Sequence, residues 1–406
     1  MILDRNMKKL LFIYSLMFFF SCKNKEVRKN IHKGVDSYNL RYADAKNLES
    51  ELYQKYADDL ILNRIDEIEN QLITVEDLEF KYHQNIFGEM PSTGWSLFIS
   101  LHGGGGVDPS INERQWNRHK RLYSLKNGIL ITPRSPTDTW DMWHKEHVDK
   151  MLKRLIQNMI AKYRINSNKV FLLGYSAGGD GVYQLAPRMA DRFAAASMSA
   201  GHPNDASPLG LRNIGFSIHM GKNDSAYNRN SVAEEWEVKL KNLKIKDFKG
   251  YNHLVKIYEN RGHQISHAKE NYVLEKSQNG VDSSGILWMS NFSRNPFPKK
   301  VVWKQDDVTH NRFYWLKKDQ PKPYELVIAN IKDQVITISE ATTSNIIIRL
   351  NDNMLNMDEK VRVIFMDKEI FNDYVPRRED VILSSIDEYG DPESIYFGEI
   401  SVSLQY

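Results

Sequence analysis

The sequence predicts an α/β protein, a mostly parallel sheet flanked by helices, followed by an all-β domain. Three observations predict it. Between about residues 78 and 295, short apolar runs alternate with longer stretches carrying an apolar stripe at helical spacing, which is the pattern of strand–helix–strand crossover units. From about residue 296, short β-type runs follow one another with only turn residues between them, as in a sandwich or barrel. The 406 residues also exceed one ordinary domain, so two folded units are expected.

The elements follow in order. Lys8 and Lys9 form a positive stretch, and Leu10 to Phe20 is an apolar run of eleven residues, too short to span a bilayer as a helix. Ser21 and Cys22 come next, and Cys22 is the only cysteine in the chain, so no intramolecular disulfide can form. Residues 1–22 resemble a bacterial lipoprotein signal, with Phe19 where that motif prefers Leu and Phe20 where it prefers a small residue. The resemblance implies a lipidated Cys22 and an exported, membrane-anchored protein of the cell envelope, periplasmic or on the outer membrane. Residues 23–77 read as a polar tether and a helical region, with Leu48, Leu52, Tyr56, Leu60 and Ile61 at helical spacing.

In residues 78–295, "LEFKY", "WSLFISL", "GILIT", "KVFLLG", "AAASMSAG", "GFSIHMG" and "LVKIYE" read as strands, and "DKMLKRLIQNMIAKY" and "SVAEEWEVKLKNL" as helices. In residues 296–406, "KKVVWK", "NRFYWL", "YELVIA", "QVITIS", "NIIIRL", "VRVIFM", "DVILSS" and "GEISVSLQY" read as strands. Trp288, Phe292, Trp303, Phe313, Tyr314 and Trp315 near the junction predict a packed interface, because a flexible linker would be polar or rich in Gly and Ser.

Composition narrows the function. The chain is 41% hydrophobic and 26% charged with a net charge of +3, which makes no electrostatic case for nucleic acid. No H-E-x-x-H and no cysteine pair marks a metal site. Asp306-Asp307 and Asp352-Asn353 read as turns, and neither has the ordered spacing of a calcium loop. No cofactor motif is expected.

The informative stretch is Gly174-Tyr175-Ser176-Ala177-Gly178, directly after the run Val170 to Leu173. A serine hydroxyl is a weak nucleophile at neutral pH and needs a base and an oxyanion site. Glycines around it suit a sharp strand-to-helix turn, so the pentapeptide fits the G-x-S-x-G nucleophile elbow. A second feature, "SLHGGGG" (100–106), also follows a strand. It resembles the H-G-G-G oxyanion motif of α/β-hydrolase esterases, which implies one donor from Gly103 or Gly104 and another from Ala177. A phosphate loop would instead end in Lys-Ser or Lys-Thr.

That fold requires an acid after a late strand and a histidine after the last. Asp224 follows "GFSIHMG" and His263 follows "LVKIYE". Asp205 and Asp180 are the alternative acids, and His267 and His253 the alternative bases; His219, inside a strand pattern, reads as a core or wall residue. Over about residues 78–290 the chain thus resembles the α/β-hydrolase superfamily, in its branch of polyhydroxybutyrate-depolymerase-like and feruloyl or acetyl xylan esterase-like enzymes and related predicted peptidases. The resemblance implies Ser176 as nucleophile, His263 as general base and Asp224 as its orienter.

Carbohydrate esters bearing acetyl or feruloyl groups are the expected substrates. A peptidase with the same triad, or a glycan-binding lipoprotein on a hydrolase scaffold, are the competing readings. Trp140, Trp143 and His144, after one strand, and His202, after another, are expected with Tyr175 to bind substrate, because ligands of open α/β sheets sit at the C-terminal strand ends.

Overall fold

The computed structural model describes residues 39–265 and 285–405. The signal segment with Cys22 and the stretch containing His267 lie outside the described residues.

Eight strands form the main sheet: β1 (Leu72–Val75), β2 (Leu78–Phe87), β3 (Trp95–Leu101), β4 (Gly128–Pro133), β5 (Ile165–Tyr175), β6 (Ala195–Ser199), β7 (Gly215–Gly221) and β8 (His253–Tyr258). Their order is β1-β2-β4-β3-β5-β6-β7-β8. β1 runs antiparallel to β2 and β2 antiparallel to β4, and the pairs from β4 through β8 are parallel. The central strands are apolar on both faces, so they read as unbroken runs with no alternation. Val170, Phe171, Leu172 and Leu173 of β5 are all buried.

Helices cover both faces. α1 (Tyr42–Glu69) precedes the sheet; α2 (Pro109–His119), α3 (Glu146–Tyr163), α4 (Ala177–Arg188) and α5 (Arg229–Lys246) connect its strands. The expected stripe of α3 is the face it buries, with Met151, Leu152, Leu155, Ile156 and Met159 in the core. The N-terminal region is one 28-residue helix with a kink at Arg64. There the Arg64 guanidinium donates to Gln157 and Asn158 of α3, and Glu67 pairs with Arg154. α1 is therefore docked on the sheet's helical layer and does not stand off as a spacer.

Beyond the short helix α6 (Ile286–Met289), two further sheets follow. One holds β9 (Lys300–Lys304), β12 (Leu326–Lys332), β13 (Val335–Ala341), β15 (Val361–Phe365) and β16 (Lys368–Asp373); the other holds β10 (Arg312–Phe313), β11 (Leu316–Lys317), β14 (Asn345–Leu350) and β17 (Gly398–Ser403). One expectation fails here. "DVILSS" is not a strand but part of a helix, α7 (Glu379–Tyr389), so this region is not all-β. Val381, Ile382, Ser385, Ile386 and Tyr389 face the core at helical spacing, Glu379 and Asp380 suit the helix's positive end, and Gly390 in the left-handed region stops it.

Candidate active site

Ser176 stands between the end of β5 and the start of α4 with φ 57° and ψ −125°. A non-glycine residue there stores on the order of 1–3 kcal/mol of strain, held by a hydrogen bond from its own N–H to the Ser199 carbonyl at 2.9 Å. The crowded glycines let backbone pack on backbone. A Cβ on Gly174 would strike the Gly178 carbonyl, and one on Gly178 would strike the Leu101 carbonyl and lie 2.9 Å from that of His102. The first turn of α4 thus rests directly on the end of β3.

Three side chains from three strand ends meet at this turn. His263 Nε2 lies 2.9 Å from Ser176 Oγ, and its Nδ1 lies 2.8 Å from Asp224 Oδ2. Asp224 is buried and follows β7; His263 follows β8. An Nδ1–H donating to the carboxylate leaves Nε2 to accept from the serine hydroxyl. The Arg229 guanidinium lies 3.6 Å from Asp224 Oδ1. The alternative residues are occupied elsewhere. Asp205 accepts from Gln184 at 3.0 Å. Asp180 accepts the His202 N–H at 2.6 Å, and burial pushes its carboxyl up to about 6. His253 bonds Tyr251 at the opposite end of β8, and His219 is fully buried.

The glycine loop lies against the serine. A Cβ on Gly103 would stand 3.0 Å from Ser176 Cβ. His102 beneath it is buried, and its Nε2 accepts from Ser135 N at 3.0 Å. The proton is therefore on Nδ1, which donates to the Gly103 carbonyl at 2.7 Å. Burial holds this ring neutral, pushed down to about 3. Because the peptide is trans, fixing the Gly103 carbonyl on His102 turns the Gly104 N–H to the other side. The Gly105 N–H is already taken by Asn112 Oδ1 at 3.0 Å. Ala177 is the first residue of α4, where backbone N–H groups have no acceptor within the helix. Gly103 and Gly104 thus line the cavity at Ser176, and Ala177 follows the serine at the start of α4.

A cavity of ≈ 220 Å³ opens on Ser176, lined by Gly103, Gly104, Tyr175 and His263 and by Gln115, Arg118, His119 and Leu122 from α2 with its flank, together with Gln264. Tyr175 both lines it and positions the base: its hydroxyl donates to the His263 carbonyl at 2.6 Å and accepts from Ile265 N at 3.1 Å. Trp140 is 63% exposed and packs beside Gly105 and Gly106.

Trp143 does not bind substrate. It is fully buried, donates from Nε1 to the His102 carbonyl at 3.0 Å and presses on Gly181, so it supports the glycine loop from below. Trp140, His144 and His202 do not line the cavity. The His144 Nε2 is enclosed under Trp140, with the ring pushed down to about 4 chiefly by burial. The His202 ring accepts from Asn204 N in its own turn. No apolar stripe marks α2 in the sequence, because that stretch has few apolar residues. Its available signal was Asp108-Pro109, where Asp108 caps the helix by accepting from Ser110 N at 2.8 Å.

No family model matches the chain. A bifunctional acetylxylan esterase/xylanase of Neocallimastix patriciarum is 29% identical over 140 residues, which is 34% of this chain and 20% of that protein. The chain thus matches about a fifth of the length of that curated relative. Among solved structures, a thermostable esterase is 18% identical with a TM-score of 0.39, covering 55% of this chain and 62% of its own. A ferulic acid esterase is 13% identical with a TM-score of 0.31, covering 48% and 89%. The poly(3-hydroxybutyrate) depolymerase of Bordetella parapertussis is 13% identical with a TM-score of 0.34, covering 47% and 83%. By its own strand order, and by the elbow serine after β5 with an aspartate after β7 and a histidine after β8, the chain has the α/β-hydrolase fold.

Proposed function

We propose that this chain is a serine hydrolase of carboxylic esters, acting on acetyl or feruloyl esters of carbohydrate. The observation that carries the reading is His263 bridging Ser176 Oγ and Asp224 Oδ2 at 2.9 and 2.8 Å. In this mechanism His263 Nε2 takes the Ser176 proton as Oγ attacks the ester carbonyl carbon. The oxygen that becomes negative is held by the N–H groups of Ala177 and of Gly103 or Gly104. Collapse breaks the C–O bond, His263 returns the proton to the leaving alcohol, and an acyl-serine remains. Water, deprotonated by His263, then releases the acid. No cofactor is needed. Asp224 keeps the imidazole in the tautomer that accepts at Nε2 and stabilises the imidazolium.

The cavity at Ser176, ≈ 220 Å³, is smaller than the roughly 300–1,000 Å³ of sites for drug-sized ligands, which suits a compact acyl group better than an extended peptide. The acetylxylan esterase and ferulic acid esterase among the similar proteins support a sugar ester. Trp140, exposed beside Gly105 and Gly106, would stack on the sugar. A lipidated Cys22 would hold the enzyme at the cell envelope, where polysaccharide fragments are accessible.

The test is turnover of p-nitrophenyl acetate, methyl ferulate and acetylated xylan beside peptide anilides, with labelling by a fluorophosphonate. Ester turnover and labelling are expected, both vanishing in Ser176→Ala without loss of fold. Cleavage of the anilides in preference to the esters would replace this reading with a peptidase, and an active Ser176→Ala would overturn the nucleophile.

A further inference from the structure

A groove of ≈ 880 Å³ lies among the C-terminal strands, between residues 318–325 and residues 342–347. It exists because β11 is only two residues long. Leu316 and Lys317 pair with Ile348 and Ile347 of β14, and beyond Lys317 the chain leaves the sheet. The first residues of β14, Asn345 and Ile346, keep a strand partner only in β17. Ile346, Ile347 and Val402 give the opening an apolar part. No residue of this groove lines the cavity at Ser176.

Tyr324 in this lining occupies a position that suits another residue. The chain turns at Lys322-Pro323-Tyr324-Glu325, where the Glu325 N–H donates to the Lys322 carbonyl at 3.4 Å. Pro323 fixes a negative φ at the second position, and Tyr324 at the third has φ 65°. That is a type II turn, whose third position favours glycine. A tyrosine there strains the backbone. The turn is held by its neighbours: Lys304 Nζ donates to the Tyr324 carbonyl, and Glu325 Oε2 accepts the Lys322 N–H at 2.9 Å. The ring itself adds little that offsets the strain. It is 58% exposed, its hydroxyl bonds no described residue, and Lys304 Nζ, 5.9 Å from its centre, is at the outer limit of a cation–π contact. A large aromatic ring is therefore held out on the wall of a groove at a cost to the fold.

We propose that this groove binds a neutral polysaccharide chain, with one sugar ring stacked on Tyr324. A pyranose has an apolar C–H face, which fits the negative face of an aromatic ring, and a rim of hydroxyls that both donate and accept. The rest of the lining matches that rim. The Gln320 amide, Asn345 Nδ2 and the Ser344 and Ser401 hydroxyls line the groove without a bond to any described residue. The charges cancel, with Lys318 and Lys322 against Asp319 and Glu325. Lys318 Nζ is already held by Thr343 Oγ1 at 2.5 Å and Asn345 Oδ1 at 3.1 Å, and lies 3.6 Å from Glu325. An anionic polymer would meet no net positive charge, and an apolar ligand would leave the amides unpaired. The volume is near the upper end of the roughly 300–1,000 Å³ that holds drug-sized molecules, which is room for several linked sugars. Xylan as the polymer rests on the reading of Ser176 as a carbohydrate esterase; the chemistry of the groove does not. Holding the polymer would raise the local concentration of its esters at Ser176.

The experiment is electrophoresis of the full chain carrying Ser176→Ala in native gels that contain arabinoxylan, hydroxyethylcellulose or the anionic polygalacturonate, beside thermal unfolding. Retardation is expected in at least one of the two neutral polymers. Tyr324→Gly is expected to weaken it about tenfold without lowering Tm, because glycine relaxes the turn, whereas Tyr324→Trp keeps it. Free migration in both neutral gels, retardation in polygalacturonate alone, or retardation that survives Tyr324→Gly overturns the proposal. A fall in Tm in Tyr324→Gly also overturns it, since the ring would then serve the fold. Turnover of p-nitrophenyl acetate by the parent separates this proposal from the esterase reading. Turnover without retardation overturns the groove alone, and retardation without turnover supports the groove and overturns the esterase.

Discussion

Asp224 and Asp180 are two carboxylates within one site, and their surroundings separate their roles. Asp224 receives the His263 Nδ1–H and faces Arg229, so it orients the base. Asp224→Asn is expected to lower kcat by about four orders of magnitude, as wrong-tautomer substitutions do in serine proteases; a larger loss from Asp205→Asn would move the acid to the end of β6. Asp180 is largely buried and its carboxyl is raised to about 6, mainly by that burial. The folded state therefore keeps a proton that the unfolded chain has released, so stability falls as pH rises from about 4 through about 6. Asp180→Asn retains an acceptor for the His202 N–H and removes the titration. Thermal melts between pH 4 and 8 should show the parent losing on the order of 2–3 kcal/mol across that window relative to the variant. Parallel curves would contradict it.

Elements position these residues through backbone contact. α4 can start at Ala177 only because Gly178 lets its first turn meet the ends of β3 and the glycine loop. Gly178→Ala puts a methyl 2.6 Å from the Leu101 carbonyl carbon and 2.9 Å from the His102 oxygen. Backbone on both sides leaves little room to yield, so unfolding in denaturant is expected to show a loss of about 1–3 kcal/mol, with ester turnover falling as Ser176 is displaced. A variant with parental stability and turnover would show that the turn can shift. Helix α2 illustrates the opposite case. Its place over Ser176 is set by the Asp108 cap and by Asn112, whose amide donates to the Gly105 carbonyl at 2.9 Å and to Asp138 at 2.7 Å. No periodic apolar stripe announces it.

In the whole molecule the main sheet and the C-terminal strands share one continuous hydrophobic core. Trp303, Phe313, Tyr314 and Trp315 are all buried. Arg294 pairs with Asp391 at 2.6 Å with both side chains about 1% exposed, and the residues just before α1 reach across, with Leu40 N donating to the Arg377 carbonyl at 2.9 Å. Truncation at about residue 295 should expose this apolar surface and give an aggregating product. Arg294→Met leaves Asp391 without its ion-pair partner and is expected to cost about 3–5 kcal/mol, read as one cooperative transition shifted to lower temperature. A soluble, active fragment ending near residue 295 would show two independent units.

The sequence by itself determined the elbow and the strand–helix alternation of the parallel sheet, because each depends on residues close to one another in sequence. Val170 to Leu173 ending in Gly174 is a local pattern with a local cause. Tertiary structure alone decided which of several strand-end residues meet. Asp224 and Asp205 have equivalent sequence contexts, and only the packing of β8 beside β7 brings His263 to one of them. Trp140 and Trp143 are three residues apart and equally apolar, yet one is exposed beside Gly105 and Gly106 and the other lies buried under the glycine loop. "DVILSS" carries β-branched residues in a short run, a strand by propensity, and became helical because Val381, Ile382 and Ile386 bury a common face against the core. In each case the deciding energy is burial against partners distant in sequence, which no local pattern records.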